Sequence, residues 1–209
     1  GEGLLSKGFE ALKKKLQNEG LFDEAKKKPI PQLPNSVALV TAYDSAAMWD
    51  FVSIIKEQAP HIKIFLVPAV MQGVKSVFSL VKAIDIAEEY KNPPELIVIA
   101  RGGGSAEDLN SFNDELLVRR ISACGIPVIS AIGHEIDYTL ADFVSDFRVP
   151  TPTAAAQTLA KHSLEIKQRL ASSMSIINFA MDSKLSCMKK DVDSLLISSL
   201  KNIKSRFQG

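Results

Sequence analysis

The stretch Leu96-Ile-Val-Ile-Ala-Arg-Gly-Gly-Gly-Ser105 decides how this chain is read. Its first five residues are the most apolar short run in the sequence and are rich in β-branched side chains, the composition of a strand buried on both faces. Three glycines then follow an arginine. Glycine lacks a Cβ, so it reaches backbone angles closed to other residues and lets a backbone or a ligand come close. One glycine serves a turn, so three in a row after an arginine pose a question about what approaches them.

Outward from this run the same alternation repeats. Val37–Thr41 reads as a strand followed by a helix over about Ser45–Gln58. Lys63–Val67 leads through Gln72-Gly73 into a helix ending near Tyr90. The glycine loop leads into a helix around Asp114–Ala123, and Pro127–Ile132 ends at Gly133-His134. Short β-branched runs alternating with longer helical ones predict βαβ units. The expected fold is α/β, an open, mostly parallel sheet with helices on both faces, followed by a long C-terminal helical segment. Residues 1–35 read as an amphipathic helix with a Lys/Pro-rich connector, residues 36–150 as the α/β core, and residues 151–209 as the extended helical segment. Between Thr153 and Phe207 there is no Pro or Gly, and Leu170, Met174, Ile177, Met181, Leu185, Met188, Val192 and Leu195 recur at steps of three and four. That is the seam of a long helix, packed back as a hairpin or built for a partner helix; the second reading is preferred.

The bulk numbers exclude several classes. With 25 Lys and Arg against 24 Asp and Glu, the net charge is +1, so no strongly basic nucleic-acid surface shows in the totals, although a local basic cleft is compatible with them. Cys124 and Cys187 have no metal-ligand spacing and read as reduced thiols. No apolar run approaches the ~20 residues of a membrane span, and Gly1–Leu5 has no signal-peptide pattern. A cytoplasmic, membrane-free location is the expectation.

In an open α/β sheet ligands bind beyond the carboxyl ends of the strands. Four features converge there: Thr41–Asp50, Gln72-Gly73, Arg101–Ser105 and Gly133–Asp137. Arg101 with Gly102, Gly103, Gly104 and Ser105 offers backbone N–H groups and a bidentate donor fork to a phosphate. The spacing is that of neither a Walker A loop nor a dinucleotide fingerprint, and a plain tight turn explains it about as well. His134 is a proton shuttle at neutral pH, with Asp137 placed to fix its tautomer or charge. His134, Glu135 and Asp137 together with Asp50 could hold a hard cation. Asp44 is expected to cap the first core helix, and Asp142–Arg148 to serve capping and salt bridges. His61 and His162 read as surface residues. These features suit a phosphoryl or phosphodiester substrate.

Taken in order, Arg101–Leu109, Phe112-Asn-Asp-Glu115, Pro127–Asp137, Ala141–Asp146 and Arg148–Ala156 resemble the large subunit of exodeoxyribonuclease VII over about fifty-five residues. Gln72-Gly73 and Glu19–Asp23 also fit. The resemblance implies a large-subunit core hydrolysing single-stranded DNA from both ends into short oligonucleotides, without a strict requirement for a divalent metal. It further implies several copies of a small subunit bound to the C-terminal helices, and an OB-fold that is missing here. It assigns Arg101 to clamp phosphate, His134 to transfer a proton, Asp137 to support it, and Asp50 to end the first core motif. That motif departs from the family pattern, which usually includes Pro, Gly and Arg, and Tyr43, Ser45 and Trp49 of Thr41–Asp50 occupy altered positions. A small-molecule phosphate enzyme and a non-catalytic assembly scaffold are the rival readings.

Overall fold

The computed structural model describes residues 2–103, 106–133 and 138–206, with side chains at 8–103, 109–133 and 138–197. In chain order the elements are α1 (Glu2–Asn18), β1 (Ser36–Thr41), α2 (Ala46–Gln58), β2 (Lys63–Pro68), α3 (Ser76–Glu88), β3 (Ile97–Ala100), α4 (Glu115–Ala123), β4 (Val128–Ala131), α5 (Leu140–Val144), β5 (Phe147–Arg148) and α6 (Pro152–Arg206). Short 3₁₀ segments occupy Glu24–Lys26 and Ala106–Asn113. The five strands form one sheet in the order β2-β1-β3-β4-β5, and every pairing is parallel. The α/β architecture and the long terminal helix expected from the sequence are both present.

Period-two alternation along the strands sorts the core into two layers. Ala38, Val40, Ile97, Ile99 and Val128 face one side, against Leu16 of α1, Leu80 and Ile84 of α3, Leu117 and Ile121 of α4, and Leu140 of α5. Val37, Leu39, Val98, Ile129 and Ala131 face the other, against Met48, Phe51 and Ile55 of α2. Ala155, Ala156, Leu159 and Ala160, in the first turns of α6, complete this second layer. Small residues there let α6 approach the sheet closely, and Thr151 Oγ1 accepts from the Ala154 N–H at 3.0 Å at its start.

The chain divides into two units, Gly1–Leu164 and Glu165–Gly209. The first holds the sheet and its helices. The second is the continuation of α6, a single helix with no turn-back. Its seam residues Leu170, Met174, Ile177, Met181, Leu185, Met188 and Val192 are all more than half exposed. Among the described residues no helix is long and apolar enough to cross a membrane.

Two local expectations are corrected. Asp44 does not cap α2. Ser45 does, accepting from the Met48 N–H at 3.2 Å, while Asp44 sits one residue earlier at φ +57°. Asp is among the few residues that tolerate this left-handed region, and here it carries the chain from β1 into the helix. The stretch Asp142–Arg148, read only as caps and ion pairs, also contains the end of α5 and a fifth strand. With two residues, β5 is too short to carry a periodic signal, and it is held by pairing with β4.

Candidate active site at the carboxyl edge of the sheet

Sheet order alone places a crevice. From β1 the chain moves outward to β2, then crosses back to β3 on the opposite side of β1, so the connections diverge between β1 and β3. Loops leaving a sheet at such a switch point splay apart and leave room for a ligand. Register makes the edge level: Thr41 pairs with Pro68, Val40 with Ile99, and Ala100 with Ala131. The loops after β1, β2, β3 and β4 therefore start at nearly one height.

The loop after β1 is tightly organised. The Ser45 hydroxyl donates to the Ala42 carbonyl at 2.8 Å while also capping α2, and the Trp49 indole N–H donates to Asp44 Oδ1 at 2.8 Å. Tyr43 and Trp49 remain largely exposed at this point. Asp50 is exposed on the first turns of α2, and among the described residues no hydrogen bond or ion pair reaches it.

Arg101 extends the ladder beyond β3, its N–H donating to the Ala131 carbonyl at 3.0 Å, and its side chain is buried with 6% exposure. Gly102 lies beside α2, where an added Cβ would stand an ordinary 3.6 Å from the Ala47 Cβ. At Gly103 an added Cβ would meet nothing within 4 Å. Neither residue has the positive φ that demands glycine; Gly20 and Gly73 do. Packing within the described protein therefore does not require glycine at 102 or 103, and no described residue fills the space before Gly103. Gly104 and Ser105 lie outside the described residues.

Polar crosslinks tie the neighbouring loops together. Gly73, at φ +84°, turns the chain after β2, and the buried Ser76 hydroxyl lies 2.5 Å from both the Gly73 carbonyl and Ser111 Oγ. Ser111 belongs to the 3₁₀ segment that follows the glycine loop, so the β2 and β3 loops share one hydrogen-bonded cluster. Further along, Asn113 Oδ1 accepts from the Leu140 N–H at 2.9 Å, joining the β3 and β4 connections.

Gly133 ends the described part of the β4 edge. His134, Glu135 and Asp137 lie outside the described residues, and so does the cation reading that depends on them. Among the described residues no three His, Cys, Asp or Glu side chains cluster to hold a metal ion. Beyond the gap, Asp142 forms a buried hub. Its carboxylate accepts from Ser130 Oγ at 2.5 Å and from the Thr139 N–H and hydroxyl at 2.8 Å each, and it lies 3.8 Å from Arg148 Nε. The Arg148 guanidinium also lies 3.8 Å from the centre of the Tyr138 ring. Thr139 and Asp142 form a capping box, a pattern visible in sequence as a hydroxyl residue followed three positions later by an acid. Nothing in the sequence marks Ser76, Ser111 or Ser130 as partners, because each meets a residue distant in the chain.

A cavity of about 620 Å³ opens at the carboxyl ends of β1 and β2, lined by Ala42, Tyr43, Pro68–Gln72 and Ser79. Gln72-Gly73, singled out from the sequence, thus adjoins a concave site.

A family model described as "Exonuclease VII, large subunit" matches residues 21–209. The exodeoxyribonuclease 7 large subunit of Photorhabdus laumondii subsp. laumondii is 42% identical over 182 residues, a match covering 87% of this chain and 40% of that relative. The chain thus spans less than half the length of the curated relative it matches. With its parallel sheet, its glycine loop at the switch point and its long terminal helix, the chain belongs to the exonuclease VII large-subunit family.

Proposed function

We propose that this chain is the catalytic core of a nuclease large subunit that hydrolyses phosphodiester bonds in single-stranded DNA from both ends, releasing short oligonucleotides. The observation that carries this reading is the position of Arg101 and its glycines. They follow the central strand β3 at the switch point, with no described residue filling the space before Gly103.

In this reading the backbone N–H groups of Gly102–Ser105 and the Arg101 fork hold the scissile phosphate. They also stabilise the negative charge on the phosphoryl oxygens as water attacks phosphorus in line. His134 transfers a proton, as base to the water or as acid to the leaving oxygen, and Asp137 holds its imidazole in orientation. Asp50, exposed on α2, is proposed to add a carboxylate to the phosphate's surroundings. A divalent ion is compatible with this set of acids and imidazole but is not strictly required.

The exposed seam of α6 supports the partner reading. Contiguous apolar surface beyond a few hundred Å² is uncommon on a protein that works alone, so several copies of a small subunit are proposed to cover it. The complex is proposed to work in the cytoplasm.

The test is hydrolysis of end-labelled single-stranded DNA by the full-length complex, with and without chelator, for the wild type and His134→Ala. General acid–base catalysis contributes typically ~10²–10⁴-fold, so a loss of that order is expected with strand binding within a few-fold. A loss below tenfold removes His134 from the mechanism. A wild-type complex inert on single-stranded DNA overturns the nuclease reading.

A further inference from the structure

We infer that the cavity at the ends of β1 and β2 is a nucleobase subsite, in which a base of the bound strand stacks on Tyr43 while its phosphate sits at the Arg101 loop. This deepens the nuclease reading and rests on it for the identity of the strand.

Size and chemistry of the cavity select the ligand class. About 620 Å³ lies within the ~300–1,000 Å³ range of small-molecule sites. Its walls include Ala42, Pro68 and Met71, and none of its described lining residues is Lys, Arg, Asp or Glu. A second phosphate would find no countercharge here, whereas a flat, uncharged heteroaromatic ring fits apolar walls beside a phenol. Tyr43 is 74% exposed, so most of its surface is free for stacking, and the Gln72 amide supplies one acceptor and two donors for a base edge.

Local structure holds Tyr43 in place. Its neighbour Asp44 adopts φ +57° and is tied by its carboxylate to the Trp49 indole, so the turn that presents Tyr43 is anchored to α2. On the opposite wall the Val70 N–H donates to Ser79 Oγ at 2.9 Å, fixing the segment after β2.

Distance agrees as well. Neighbouring strands lie ≈ 4.8 Å apart, so a cavity between the ends of β1 and β2 stands roughly 7 Å from the line of β3. One nucleotide spans that separation from phosphate to base. Because Thr41, Pro68 and Ala100 end at nearly the same height, the span needs no change of level along the strand direction.

The test uses the full-length large subunit with its small subunit, and oligothymidylate strands in which one abasic position is moved stepwise inward from an end. Equilibrium binding and kcat/KM are both measured. Base stacking on an aromatic side chain sets the scale, so one position should weaken wild-type binding and kcat/KM by about 5- to 150-fold when abasic. Tyr43→Ala should show that loss on the intact strand and become indifferent to the abasic site at that position. Tyr43→Phe, which keeps the ring, should match the wild type. The subsite is overturned if Tyr43→Ala binds the intact strand normally, or if it stays as sensitive as the wild type. Hydrolysis with no base-sensitive position removes the subsite and leaves the nuclease reading standing. Base-sensitive binding without hydrolysis does the reverse, and no strand binding at all removes both.

Discussion

Asp142→Ala is expected to be among the most damaging single changes in the compact unit, although Asp142 is assigned no chemical step. Its side chain has no exposed surface, and it accepts three hydrogen bonds from Ser130 and Thr139. Hydrogen bonds to a charged acceptor contribute ≈ 1.5–3 kcal/mol each, but three sharing one carboxylate do not add independently. Removing one partner of a buried pair costs ≈ 3–5 kcal/mol, and the loss of the capping box falls within the same change. A total of about 3–5 kcal/mol, at ≈ 2–4 °C per kcal/mol for a unit of this size, lowers the melting midpoint by roughly 6–20 °C. Asp142→Asn separates charge from geometry. The Asn oxygen still accepts from Thr139, the Ser130 hydroxyl can rotate to accept from the new amide, and Arg148 keeps its place over the Tyr138 ring. Its loss should be only about 1–2 kcal/mol. Trp49 is the sole tryptophan and lies in α2, so its fluorescence follows the compact unit and not the helix beyond Leu164. Urea titrations read by Trp49 give both values. An Asp142→Ala loss under 1 kcal/mol, or an Asn variant as unstable as the Ala variant, would refute the view that the hydrogen-bonded hub dominates.

Arg101→Lys should reduce single-stranded DNA hydrolysis nearly as much as Arg101→Ala, because lysine keeps the charge but loses the planar fork; full rescue by lysine in a kcat/KM comparison contradicts the clamp. Leu185→Asp with Val192→Asp places two charges in the exposed seam of α6 and should abolish small-subunit association while Trp49 fluorescence stays native. Normal assembly by light scattering would reject the seam as the partner surface. Burial pushes the Cys124 thiol up to about 11, so at pH 7.5 a maleimide should label exposed Cys187 quickly and Cys124 only on unfolding; equal labelling rates would contradict the packing of α4. Glu115 is held below its ordinary value by Lys15 and Arg119, and Glu19 by Arg119. For Glu88 burial pulls upward, but the Gly125 N–H and Arg120 outweigh it. The native state then binds fewer protons than the unfolded state, so stability should be complete above the ordinary glutamate value of 4.5 and fall as pH drops through and below it. A Glu88→Gln, Glu115→Gln variant should flatten that acid limb of the urea midpoint, and an unchanged limb would assign it to other carboxylates.

The amino-acid sequence by itself determined the strand and helix alternation, because Leu96–Ala100, Val37–Thr41 and Val128–Ile132 are buried on both faces and carry that burial as short runs of mostly apolar, β-branched residues, with only Thr41 and Ser130 polar. It also marked the long helix, whose apolar period needs no distant residue to be seen, and the family, through motifs contiguous in the chain. Tertiary structure alone decided the order β2-β1-β3-β4-β5, and with it the switch point that sets the Thr41–Asp50 and Arg101–Gly103 segments side by side. Strand order depends on which edges pair, and one strand's composition does not encode its neighbour. Likewise, Ser45 rather than Asp44 caps α2, because the chain leaves β1 in a left-handed turn whose carboxylate is taken by Trp49. The Ser76–Ser111 contact, the Asp142 hub and the cavity beside Tyr43 arise the same way. The first and last join residues far apart in sequence, and the hub adds Ser130 and Arg148 to a Thr139–Asp142 capping box that the sequence already shows; single hydroxyls or acids show no periodicity until folding supplies such partners.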